Sequence, residues 1–172
     1  MCLPGDAALR MAAEDNFRSG YNCAQSVALA FAEELGAGRE LVLRLSQPFG
    51  GGMSRMREVC GAVSGMMMCL GLLEGSPDAS DRNSKNRCYE AGQELAAEFR
   101  RRNGSIVCRE LLGLVPVGTS ERAAEEGTAD IHAVQSPESS ERTAEYYRKR
   151  PCLSLVGDAA EIFGAFCRAR RT

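Results

Sequence analysis

Eight cysteines and a single histidine are the side chains of this 172-residue sequence with the greatest capacity for chemistry. No two of the cysteines stand in CxxC spacing, which leaves out a zinc ribbon, a thioredoxin-type dithiol motif and the sequential ferredoxin pattern. Their positions on predicted helices divide them. Cys23 follows Asn22, a good N-cap, and Cys108 lies three residues after Ser105, a second cap candidate. Cys152 follows Pro151, which suits the start of a helix, and Cys60 falls in the second turn of a helix expected to begin at Arg55 behind a Ser54 cap. Near a helix amino terminus, unpaired N–H groups and the helix dipole favour the thiolate over the thiol. Cys23, Cys60, Cys108 and Cys152 are therefore the candidate reactive or metal-ligating set, with Cys60 the expected most reactive thiol and Cys23 its partner. Arg55 and Arg57 before Cys60, and Arg109 after Cys108, would lower thiol pKa values further.

The other four cysteines read as structural. Cys69 is nine residues after Cys60 and on the opposite face of that helix at ~100° per residue. Cys167 is fifteen residues beyond Cys152, on the order of 22 Å along one helix. Cys88 falls inside a long helix, and Cys2 lies near the start of the sequence. His132 stands in a polar segment apart from every cysteine block, so no Cys–His or Ser–His–Asp arrangement is defensible. Three glycines at 50–52 precede a predicted helix, but no Gly-Lys-Ser/Thr ending follows and no strand precedes them, so a phosphate cradle is not supported. Five methionines between Met53 and Met68 suit a pliable core better than a copper site.

Composition sets the frame for these sites. A formal net charge of −2 with 26% charged residues supplies no basic footprint for nucleic acid and no polybasic membrane anchor. The longest apolar stretch, around Ala62 to Leu73, is broken by Ser64, Gly65 and Gly71 and is too short to span a bilayer. The amino-terminal residues lack the basic and apolar regions of a secretory signal, so a cytoplasmic location is expected. In that reducing compartment, recurring cysteines point to redox chemistry or metal ligation before structural disulfides. Ala and Leu together number 39, against 16 for Val, Ile and Thr, which favours helix over sheet.

The elements that must position the thiols follow from caps and periodicity. Helices are predicted over residues 6–17, 22–36, 39–46, 55–73, 82–102, 108–112 and 151–168, with a further helical tendency over 137–150. Residues 115–140 are polar and punctuated by Pro116, Gly118, Gly127 and Pro137, and read as an exposed insertion. The expected architecture is a single all-α domain over 1–172, a compact helical bundle with that polar insertion before the last helices. No pair of reactive cysteines shares a helix, so four helices must meet for the four sulfurs to act together.

Four ordered blocks carry a resemblance: YNCAQSV at 21–27, FGGGMSRMREVCGAVSG at 49–65, CRELLG at 108–113 and RPC at 150–152. They resemble the C_GCAxxG_C_C family of proteins labelled redox-active, which is recognised by one cysteine, a CGAxxG element and two later cysteines. The matching positions are Cys23, Cys60 to Gly65, Cys108 and Cys152. Within the hexapeptide, Gly61 and Gly65 are four apart and present a flat strip against which another backbone can pack. Three readings stay open. The four cysteines cycle between dithiol and disulfide with an unknown redox partner; or they form a four-cysteine site for zinc or for an iron–sulfur cluster, the latter being what the resemblance also implies; or the chain is a structural helical module. Oligomeric state and any small-molecule substrate are not indicated.

Overall fold

A computed structural model describes residues 5–115, 117 and 137–170. Among them the fold is all-α. Helices α1 (Asp6–Arg18), α2 (Cys23–Ala30), α3 (Arg39–Ser46), α4 (Gly61–Glu74), α5 (Arg82–Asn103), α6 (Cys108–Leu111), α7 (Ala144–Lys149) and α8 (Cys152–Ala169) follow one another, with a single 3-10 turn at Gln47–Phe49 after α3. The last and first helices pack along each other, and α2 lies between α1 and α4. No helix among the described residues is long and apolar enough to cross a membrane. Cys2, His132 and most of the 115–140 segment lie outside the described residues. Of that segment's described part, Val115 is buried rather than exposed, and Pro137, Glu138 and Ser139 are exposed.

One apolar core joins all the long helices. Phe17, Phe31, Phe99 and Phe163 are fully buried, and Phe31 meets Phe163 edge-on at 4.9 Å between ring centres. At about 1.5–3 kcal/mol per buried large apolar side chain, this shared cluster outweighs any single helix's own propensity. The methionines divide as a pliable core predicts only in part: Met66 is fully buried, whereas Met53 and Met56 are exposed.

Three expectations are corrected. The second helix stops at Ala30 instead of continuing to Gly36, because Phe31 and Ala32 donate to Ala28 and Leu29 in tightened i→i−3 bonds. A turn at Gly36, with φ of +68°, then closes the segment. The helix expected from Arg55 begins only at Gly61. Residues 51–55 all have positive φ, and Val59 pairs antiparallel with Val107 instead of joining a helical turn. Residues 137–150 are helical only over Ala144–Lys149, capped by the Thr143 hydroxyl, which accepts from the Tyr146 N–H.

Candidate functional site

The start of each of four elements carries one of the selected cysteines. Cys23, Cys108 and Cys152 are the first residues of α2, α6 and α8, and Cys60 is the N-cap of α4. Local chemistry explains each placement. Asn22 accepts hydrogen bonds from the Ala24 and Gln25 N–H groups at 3.0 Å, and Gln25 Oε1 accepts from the Asn22 N–H in return. The same two side chains donate to the Gln47 and Leu43 carbonyls, which ties the start of α2 to the end of α3. Cys60 and Cys108 are brought together by a short antiparallel ladder. The Cys60 N–H donates to Ile106 O at 2.8 Å, and the Cys108 and Arg109 N–H groups donate to Glu58 and Arg57 carbonyls. Ser105, the expected cap of α6, instead accepts from the Val107 N–H and bonds Glu110, with Val107 in the cap position.

Close helix approach supplies the remaining convergence. A Cβ on Gly65 would stand 2.6 Å from Ala24 O and 3.0 Å from Val27 Cβ. A Cβ on Gly61 would lie 2.8 Å from Phe49 O and 3.0 Å from Cys23 Cβ. The strip predicted from the CGAxxG spacing is therefore the surface on which α2 seats, and it draws Cys23 toward Cys60.

All four cysteines line one cavity of about 390 Å³, together with Arg55, Arg57, Arg142 and Arg150. Cys60, Cys108 and Cys152 are 4%, 7% and 8% exposed, and Cys23 is half-buried. Cys23 and Cys152 act on each other across the cavity wall, and hydrogen bonding between the two thiols favours a thiolate on Cys152 and a proton on Cys23. That bond is the main reason that Cys152 falls to about 7; burial opposes it, and Arg150, Arg142 and Arg57 add to the lowering. The same bond and burial hold the Cys23 proton in place well above the ordinary thiol range. Burial pushes Cys60 up to about 12, an effect only partly offset by the Ala62 and Val63 amides. Cys108 is raised by burial and eased by Arg57, which also hydrogen-bonds it. The most acidic thiol is thus Cys152 rather than Cys60, because desolvation at Cys60 exceeds the helix-terminus effect.

Among the arginines anticipated near the thiols, Arg57 touches Cys108 and Arg55 lines the cavity, but Arg109 turns to Glu58 at 2.7 Å. Sequence reasoning missed Arg142 and Arg150. Arg150 was legible as part of the RPC block; Arg142, whose guanidinium stacks on Phe17 and Tyr146 at 4.3 and 4.7 Å, carried no local signal. Cys69 and Cys167 are buried core neighbours, with burial raising Cys69 first and Cys167 adding to it. Cys88 packs half-buried against the core. Among the described residues, no three His, Cys, Asp or Glu side chains gather closely enough to hold one metal ion.

Neither a curated protein nor a solved structure matches this chain. A family model does match, over residues 21–166, an interval that holds all four cavity cysteines and the CGAVSG element. With most of its length inside that match, the chain belongs to the family described as putative redox-active protein (C_GCAxxG_C_C).

Proposed function

We propose that this protein is a two-electron thiol redox protein whose working couple is Cys152 and Cys23. The observation that carries this reading is the placement of Cys23 and Cys152 on the wall of one cavity, as the first residues of α2 and α8, where their mutual influence lowers Cys152 and raises Cys23. Such a pair suits thiol–disulfide exchange, where a thiol with pKa near ambient pH is the best attacking group. The Cys152 thiolate attacks one sulfur of a disulfide, forming a mixed disulfide and releasing the other half as a thiolate. Cys23 then attacks Cys152 Sγ, closing the Cys23–Cys152 disulfide, and its proton leaves with the second half. The dithiol loses two electrons and the partner disulfide gains them. Arg150, Arg142 and Arg57 stabilise the thiolate, while Cys60 and Cys108 face the couple as protonated thiols.

The four-cysteine metal reading draws on the same sulfurs. Thiolates suit iron–sulfur clusters and zinc, but among the described residues the grouping does not close three ligands on one ion. One experiment separates these readings. Protein purified anaerobically is assayed for iron, zinc and acid-labile sulfide, then oxidised stoichiometrically with diamide and mapped by non-reducing peptide mass spectrometry. The expected product is one Cys23–Cys152 disulfide in metal-free protein. Stoichiometric iron with sulfide, or zinc, or a preparation in which none of the four oxidises, overturns the proposal.

A further inference from the structure

The cavity's charge is as unusual as its sulfur content. Four guanidinium groups line it, and its described lining residues include no Asp or Glu. Glu58 pairs with Arg109 at 2.7 Å, and Glu138 offsets part of the charge on Arg55; Arg55 donates to Ser140 Oγ at 3.3 Å and Arg57 to Gly51 O at 3.4 Å. At neutral pH the thiols offset little of this charge, because Cys23, Cys60 and Cys108 are held protonated and Cys152 alone is near its midpoint. The arginines press on one another; burial, then Arg57 and Arg150, hold Arg55 below its ordinary value. Arg142 Nη1 is buried without a hydrogen-bond partner, although its Nη2 donates to the Tyr21 carbonyl at 3.2 Å. The loop that aims Arg55 and Arg57 inward runs through positive φ at Met53, Ser54, Arg55 and Arg57, a conformation that L-residues avoid. Guanidinium forks gathered in this way match carboxylates and other oxyanions.

Access points to the size of the partner. Cys60, Cys108 and Cys152 are each less than a tenth exposed and, with the half-buried Cys23, face a cavity of about 390 Å³, a volume that suits a small compound. We infer that the cavity is a receptor for a small dianionic compound, and that the substrate of the Cys152–Cys23 couple is a low-molecular-weight disulfide bearing carboxylate groups, gripped by Arg55, Arg57, Arg142 and Arg150. This rests on the redox reading above. Substrate and dithiol exchange as written there: one substrate S–S bond breaks, one Cys23–Cys152 bond forms, and two anionic thiols leave with the two electrons.

The test uses the reduced full chain and three aliphatic disulfides that differ in charge: dithiodipropionate (two carboxylates), hydroxyethyl disulfide (neutral) and cystamine (two ammonium groups). Rates of protein oxidation are divided by each compound's rate with dithiothreitol, which removes intrinsic reactivity. The normalised rate should be greatest for dithiodipropionate, by about tenfold over the neutral compound, and least for cystamine. Added salt and Arg55→Gln should both shrink that ratio. Suberate, the dicarboxylate of equal length with two methylenes in place of the S–S bond, should bind the reduced protein in calorimetry and lose affinity in Arg55→Gln and in Arg150→Gln. Equal normalised rates with no suberate binding overturn the receptor and leave the redox couple standing. Suberate binding with no oxidation by any of the three disulfides upholds the receptor and removes the redox reading.

Discussion

Replacing Cys23 by alanine tests the logic of the thiol pair most directly. Cys23's hydrogen bond is the largest influence lowering Cys152 from 9.0 to about 7, and burial works against it. Without that donor, Arg150, Arg142 and Arg57 oppose desolvation alone, and the Cys152 midpoint should return by as much as two units toward the ordinary thiol value. At pH 7 the thiolate fraction would then fall from about one half to about one hundredth, roughly fiftyfold. The more basic thiolate is intrinsically more nucleophilic, by on the order of tenfold over two units. The net slowing at pH 7 is thus only about fivefold, and the displaced midpoint is the more decisive quantity. Iodoacetamide alkylation of Cys152, followed by peptide mass spectrometry from pH 5 to 10, reads that midpoint. Cys23→Ser keeps an O–H donor and should fall between wild type and Cys23→Ala. A Cys23→Ala midpoint within a few tenths of wild type would refute the assignment of the hydrogen bond as the cause.

Three further outcomes follow from the packing. Gly65→Ala places a Cβ against the Ala24 carbonyl and Val27 Cβ, neither of which can yield, so urea unfolding should show a loss of about 1–3 kcal/mol. Asn22→Ala removes both the cap of α2 and its tie to Gln47 O, and should cost about 1–2 kcal/mol in the same assay. Cys60 has its folded pKa raised to about 12, so its neutral form is favoured in the fold and its contribution is lost as pH rises above the unfolded value near 9. Between pH 8 and 10 wild type should therefore lose about 1 kcal/mol more stability than Cys60→Ala, measured by denaturant titration at each pH. An equal loss in the two proteins would contradict the burial of that thiol.

Much of the bundle was legible in the residues themselves. The run ending in Arg102, Asn103 and Gly104 is bounded by Asp81, whose side chain caps α5 at Ser84 N, and by Gly104 in the left-handed conformation. Those are local signals, set by backbone hydrogen bonding within a few residues, and they placed α5 almost to the residue. The glycine spacing in CGAVSG likewise announced a close helix contact, because a missing Cβ has a meaning before its partner is known. The glycine-rich entry at 50–54 is a loop as expected, but residues 55–60, expected as the first turns of the helix, continue that loop. Its conformation depends on Cys60, Cys108 and Arg109 N–H groups finding carbonyls about fifty residues away, and on a Gly52 whose Cβ would collide with Cys108.

The sequence by itself determined that Cys23 and Cys152 stand at helix starts, since the Asn22 cap and Pro151 act over one turn; the helix starts at Cys60 and Cys108 needed the ladder between residues 57–60 and 106–109. Only the tertiary structure decided which thiol is acidic. A thiol's pKa is the difference between desolvation and the charges around it, and both are set by distant segments. Cys60, favoured by its neighbours in sequence, is pushed up to about 12 by burial, whereas Cys152 is lowered by a thiol more than a hundred residues before it, and by Arg142 and Arg57 beside its sequence neighbour Arg150.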